Sequence, residues 1–171
     1  MRRYYDRSSK LTLRSRPTRG FSLVELLVVV AVLLIIVAIA IPNFINSRMR
    51  SNEASAVQSL RTFSTAQALY STMWGVGFAD NMSKLSGNGV VVNQNNAGLI
   101  DQAFAAGLKS GYVFTLTPGA ADSQGNVGTF YLTADPQVPG SSGVRHYYVD
   151  QTSVIRFNPS VPAGPSDPPV S

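Results

Sequence analysis

The sequence predicts an α+β fold in which a long N-terminal α-helix packs, through its amphipathic C-terminal half, on a small antiparallel β-sheet. Three observations lead to this prediction. An apolar run extends from Phe21 to Ile41, a helical apolar period continues to Trp74, and short alternating segments between turn residues follow as far as residue 157. The amphipathic half-helix is the only predicted element long enough to cover the apolar face of the sheet.

The apolar run predicts a membrane-spanning segment over 21–41. It contains sixteen consecutive apolar residues from Leu26 to Ile41, and about twenty helical residues cross a bilayer core of about 30 Å. One alternative is cleavage after the small residues Ala38-Ile39-Ala40, which would release a secreted domain that starts at Ile41.

The segment 1–20 is predicted to be a basic cytoplasmic leader. It holds seven of the fourteen Lys and Arg residues and a single acidic residue, so the positive-inside tendency places this end in the cytoplasm and the rest of the chain across the membrane. Beyond Gly20 the chain carries seven basic and eight acidic residues. The net charge of +5 therefore gives no indication of nucleic-acid binding.

One carboxylate, Glu25, interrupts the apolar run and needs an explanation. A charge at the centre of a membrane helix costs about 2.5–3.5 kcal/mol on insertion scales, so it requires a partner or a function. A side chain that reaches back to the cytoplasmic interface is the simpler alternative. The stretch from Arg19 through Gly20, Phe21 and Glu25 to Leu27 resembles the processing and methylation motif of type IV pilins and of the related pseudopilins of type II secretion systems.

The resemblance implies a sequence of events at these residues. A prepilin peptidase would cut between Gly20 and Phe21 and methylate the new amine of Phe21, and Glu25 would pair with that amine on a neighbouring subunit during assembly. It also implies a membrane platform and an assembly ATPase as partners, with the precursor in the inner membrane and the mature form in an extracellular or periplasmic filament. The resemblance covers about 30 residues closely and the remaining chain only in layout.

The helix is predicted to cover 21–74, with Pro42 at a kink because proline lacks an N–H and crowds the carbonyl four residues earlier. A proline that only marks the membrane exit is the alternative. Gly75 and Gly77 are predicted to end the helix in left-handed conformations. The apolar stripe beyond Pro42 comprises Ile45, Met49, Ala56, Leu60, Phe63, Tyr70 and Trp74.

A globular domain is predicted over 75–157 and a proline-rich tail over 158–171. Residues 78–96 read as a loop with a short strand at Val90–Val92, and 97–106 as a short helix. Four strands are predicted, beginning near Tyr112, Thr129, His146 and Ser153. The tail, with five prolines, is predicted to be an extended, mobile surface segment that buries no core.

Composition indicates no catalytic site, cofactor or metal site. The sequence has no cysteine, which excludes disulfides, thiol catalysis and thiolate metal sites, and the single histidine, His146, lies in a strand pattern that favours a structural role. Asp122, Asp135, Asp150 and Asp167 are isolated and lack the ligand spacing of calcium loops.

The sequence therefore predicts a structural subunit of a type IV pilus-like, homo-oligomeric filament rather than an enzyme. A type II secretion pseudopilin is the first alternative. A membrane-anchored or secreted binding domain is the second. The motif does not separate adhesion, motility, DNA uptake and secretion.

Overall fold

The computed structural model describes residues 20–87 and 91–170 of the chain. Contacts divide the chain into two units, Met1–Ala40 and Ile41–Ser171. Apart from Gly20, the predicted leader lies outside the described residues. The elements in chain order are α1 (Leu23–Trp74), α2 (Met82–Leu85), α3 (Gln102–Ala105), β1 (Leu108–Lys109), β2 (Tyr112–Pro118), β3 (Phe130–Pro136), β4 (His146–Asp150) and β5 (Arg156–Asn158).

The helix α1 is continuous from Leu23 to Trp74 and passes through Pro42. It begins two residues later than predicted, because Ser22 serves as its cap, and it ends where predicted. Gly75 and Gly77 adopt φ of 65° and 76°, the left-handed region in which glycine carries no Cβ penalty. By length and composition, α1 is able to cross a membrane.

The sheet is a five-stranded antiparallel meander in the order β1-β2-β3-β4-β5. Three of the four predicted strands begin within one residue of the prediction. The last begins at Arg156 instead of Ser153, because Ser153 occupies a turn with φ of 61°. The two-residue β1 was not predicted, since a pair of residues carries no alternation.

The core lies between the C-terminal half of α1 and one face of the sheet, as the amphipathic pattern predicts. Phe63 is fully buried, and its ring meets that of Phe130 edge-on at a centroid distance of 5.6 Å, a favoured aromatic geometry. The predicted α+β class is confirmed. The other large residues that are fully buried include Leu60, Tyr70, Leu85, Phe104, Tyr112, Leu132, Tyr147 and Val149.

The connection between α1 and the sheet differs from the predicted loop and helix. It contains α2, which Asn81 caps, and Val91 and Val92 form no strand, while Val90 lies outside the described residues. The predicted helix over 97–106 shrinks to α3, because the N–H groups of Ala97 and Leu99 bond to carbonyls at the end of α2 instead.

The proline-rich tail is also held in place, contrary to prediction. Phe157 donates its N–H to the carbonyl of Pro168 at 3.1 Å, and Val170 donates to the carbonyl of Ile155 at 2.8 Å. Asp167 accepts hydrogen bonds from Asn158 and from the N–H of Gly164, and Ala163 is buried. The tail thus runs back along β5, a long-range pairing that proline content alone does not reveal.

Candidate functional site at the start of the long helix

The start of α1 is closed by a reciprocal pair of side-chain hydrogen bonds. The backbone N–H of Ser22 donates to Oε2 of Glu25 at 2.9 Å. The N–H of Val24 donates to the hydroxyl oxygen of Ser22 at 3.3 Å. This is a capping box, in which two of the unpaired N–H groups of a helix start receive acceptors.

Glu25 therefore has a structural role within its own chain. Its charge lies in the first turn of α1, where the helix dipole favours an anion. Only Oε2 accepts a hydrogen bond among the described residues. The second carboxylate oxygen is left for another donor.

Ser22 caps the helix, a role that was not predicted from the sequence. The signal was present, because Ser22-Leu23-Val24-Glu25 has the Ser-x-x-Glu spacing of a capping box before an apolar run. The charge of Glu25 alone does not indicate this contact, whereas its spacing to Ser22 does.

Three of the four predicted site residues lie within the six-residue segment 20–25 at the start of α1, and the fourth, Pro42, lies farther along the helix. Gly20, Phe21 and Glu25 are all exposed, and no heavy atom within 4 Å would meet a Cβ added at Gly20. Pro42 lies in the second unit, inside α1.

The apolar residues of α1 from Leu23 to Ile41 are all exposed in the single chain. Leu23 is 78% and Leu34 is 63% solvent-exposed, whereas every buried residue of α1 lies at Ala56 or beyond. This part of α1 therefore presents an apolar surface on all sides of the helix, which a lipid phase or other apolar helices must cover.

His146, the single histidine of the sequence, is paired within the sheet. Nδ1 of His146 lies 2.6 Å from Oδ1 of Asp135, a side-chain pair between the neighbouring strands β3 and β4. No group of three or more His, Asp or Glu that could hold a metal occurs within residues 20–87 and 91–170.

Comparison with known proteins gives matches at this site and along the chain. Residues 15–41 match the prokaryotic N-terminal methylation motif. The chain is 51% identical over 49 residues to the type IV major pilin protein PilA of Myxococcus xanthus, which is 29% of this chain and 22% of that protein. It therefore spans less than a quarter of that relative.

A second relative extends the similarity over the globular unit. The chain is 30% identical over 129 residues to the type IV wide pilus major component PilA4 of Thermus thermophilus, which is 71% of this chain and 84% of that protein. No solved structure gives a significant match. With the methylation motif at its helix start and a pilin similar over most of its length, the chain belongs to the type IV pilin family.

Proposed function

We propose that the chain is a structural subunit of a type IV pilus filament. The observation that carries this proposal is the exposed apolar half of α1, joined to a globular unit that buries its own core. Both similar proteins are described as major pilus proteins, which favours the pilus over the type II secretion pseudopilin. A freely secreted domain starting at Ile41 would leave the capping box and the motif without a role.

The proposed maturation uses the exposed residues at the helix start. A prepilin peptidase cuts between Gly20 and Phe21 and methylates the new amine of Phe21. The precursor waits in the inner membrane with its leader in the cytoplasm, and a membrane platform with an assembly ATPase moves the mature subunit into the filament. A Gly20→Glu chain is expected to keep its leader, and because Gly20 has free space around it, that failure would reflect the peptidase rather than misfolding.

The proposed role of Glu25 follows from the energetics of leaving a membrane. Lipid tails are as apolar as the centre of a helix bundle, so transfer of the apolar half of α1 between the two has little hydrophobic driving force. A carboxylate and an amine that are costly in lipid gain a partner when Glu25 of one subunit meets the Phe21 amine of another. The charge pair therefore decides whether a subunit joins the filament.

The capping box allows this role to be separated from helix capping. Glu25→Gln removes the charge while its amide oxygen can still accept the Ser22 N–H, because glutamine serves at this capping position. Ser22→Ala removes one capping bond and keeps the charge. We expect filament yield to fall about tenfold or more in Glu25→Gln, consistent with the cost of an unpaired charge, and to stay near normal in Ser22→Ala.

The measurement is the amount of subunit in sheared surface filaments, relative to processed subunit in the membrane. Both variants should be inserted and processed normally. Normal filament yield from Glu25→Gln would remove the pairing role, and an equal loss in Ser22→Ala would assign the effect to capping.

A further inference from the structure

The globular unit has two opposite ends, which the strand register defines. At one end, here the proximal end, Tyr112 pairs with Pro136, and Asn52 of α1 donates its amide to the carbonyl of Ser142 at 2.8 Å. At the other, the distal end, Tyr131 pairs with both Thr117 and Asp150. The seven residues of β2 separate these ends by about 20 Å.

A basic groove begins at the proximal end and follows α1. The groove measures about 610 Å³, and its lining includes the cations Arg50, Arg61 and Arg145, the carboxylate Glu53, and Tyr147. Arg50 and Arg61 are eleven residues apart, which is about 16 Å and three turns of helix, so they lie on the same side of α1.

The charge of Arg145 is already balanced within the chain. Its Nε lies 4.0 Å from Oε2 of Glu53, and Oε1 of Glu53 accepts hydrogen bonds from the N–H groups of Val144 and Arg145. Arg50 and Arg61 are exposed, and neither has an acidic partner in the described part of the chain. The groove therefore keeps two unbalanced positive charges.

The distal end carries the carboxylates of Asp122 and Asp150. Asp122 lies in the exposed β2–β3 connection and Asp150 is the last residue of β4, and neither forms an ion pair among residues 20–87 and 91–170. A third carboxylate without an ion pair among these residues, Asp167, does not belong to the distal end. It accepts hydrogen bonds from Asn158 and from the N–H of Gly164, and Asn158 pairs with His146 near the proximal end.

The loop around Asp122 is shaped in advance. Oδ1 of Asp122 accepts the N–H groups of Gln124 and Asn126, each at 2.8 Å, and the N–H of Asp122 donates to the carbonyl of Asn126 at 2.9 Å. The hydrogen bond from the Asn126 N–H is the largest of the causes that hold the pKa of Asp122 below its ordinary value. The loop therefore carries a negative charge at neutral pH. A preformed loop loses little entropy on docking.

These two ends are complementary in a helical assembly. Heterologous contacts between identical chains build open filaments in which every copy has the same orientation. The proximal end of one copy then faces the distal end of another, and opposite charges meet there.

We propose that the groove between Arg50 and Arg61 of one subunit receives the Asp122 loop of a second copy of this chain. This inference rests on the proposed filament function and adds a second contact to it, made by the globular units rather than by the apolar helices. Electrostatic pairing of this kind fixes register and suppresses wrong alignments.

Charge reversal in full-length chains tests the contact. Arg50→Glu with Arg61→Glu puts like charges face to face, and Asp122→Arg does the same from the other side. Each is expected to reduce filament yield on the order of tenfold, because like charges that face each other across an interface repel. All three substitutions combined in one chain restore complementarity and should recover most of the yield.

A matched control and a folding readout keep the test decisive. Arg48→Glu reverses an exposed cation that stacks over Phe44 and is not part of the groove lining, so its yield should stay near that of the unaltered chain. Circular dichroism of the full chain in detergent should be unchanged in all variants. Recovery in the combined chain supports the pairing.

Three results would overturn the contact. They are normal yield when only the groove or only the loop is reversed, no recovery in the combined chain, or an equal loss from Arg48→Glu. None of them affects the proposed filament function, which instead fails if the unaltered chain itself forms no filaments.

Discussion

The apolar part of α1 within Met1–Ala40 and the globular unit Ile41–Ser171 differ in the solvent exposure of their apolar side chains. In the first unit, side chains such as Leu34 are exposed on every side of the helix. In the second, α1 turns residues such as Phe63 towards the sheet and buries them completely. One helix thus carries a segment whose partners lie outside the chain and a segment whose partners lie inside it, which is what a subunit needs to be stable before and after assembly.

The largest expected effect that separates the two regions comes from truncating one apolar residue in each. Phe63→Ala should destabilise the globular unit by about 3–5 kcal/mol, the usual cost of removing a buried phenylalanine. Leu34→Ala should leave the unfolding of that unit unchanged. Urea unfolding of the full chain in detergent, followed by tryptophan fluorescence, measures both, and equal destabilisation would contradict the division.

A smaller effect is expected at a polar residue that only the structure places in the core. Gln67 is fully buried, donating Nε2–H to the carbonyl of Ala79 at 3.0 Å and accepting the N–H of Ala79 at 2.8 Å. Gln67→Leu leaves both backbone groups unpaired, at a cost of about 2–4 kcal/mol.

The matched control is Gln58→Leu on the exposed side of the same helix. It should change the midpoint of urea unfolding little. A comparable shift in both variants would show that the Gln67–Ala79 pair does not support the connection after α1.

The smallest effect is the response of the globular unit to alkaline pH. Burial first, and the charge of Glu53 second, raise the pKa of Tyr147 to about 12 and raise that of Tyr112 as well. A raised pKa in the folded state means that the stability is complete below the ordinary tyrosine pKa of about 10 and is lost as pH rises towards 12.

Urea unfolding at pH 8, 10 and 12 measures this loss. Tyr147→Phe removes one of the titrating groups and should flatten the decline above pH 10. An identical slope in the variant and the unaltered chain would show that Tyr147 does not contribute to it.

The sequence predicts those elements whose apolar periodicity is visible within the element itself. The apolar stripe of α1 locates Leu60, Phe63 and Tyr70 in the core, and alternation locates β2, β3 and β4. The same stripe also includes Ile45, which is 40% exposed, because helical period defines a face and does not tell where along the helix the sheet begins to cover it.

The features that escaped prediction depend on pairings across the chain. Gln67 is polar, and only the approach of Ala79 makes its burial favourable. The tail bonds along β5 although its prolines predict an extended, mobile segment. The grouping of Gly20, Phe21 and Glu25 follows from their positions, whereas the separation of Arg50 and Arg61 from Asp122 requires the register of the strands.

The most direct test of the central claim is the mass of the N-terminal peptide of the mature subunit, taken from surface filaments. The account predicts that the chain begins at Phe21 and that its amine carries a methyl group. Such a subunit retains the exposed apolar half of α1 and the charge of Glu25 on which the proposed assembly depends. An intact Met1, or a chain that begins at Ile41, would contradict the account.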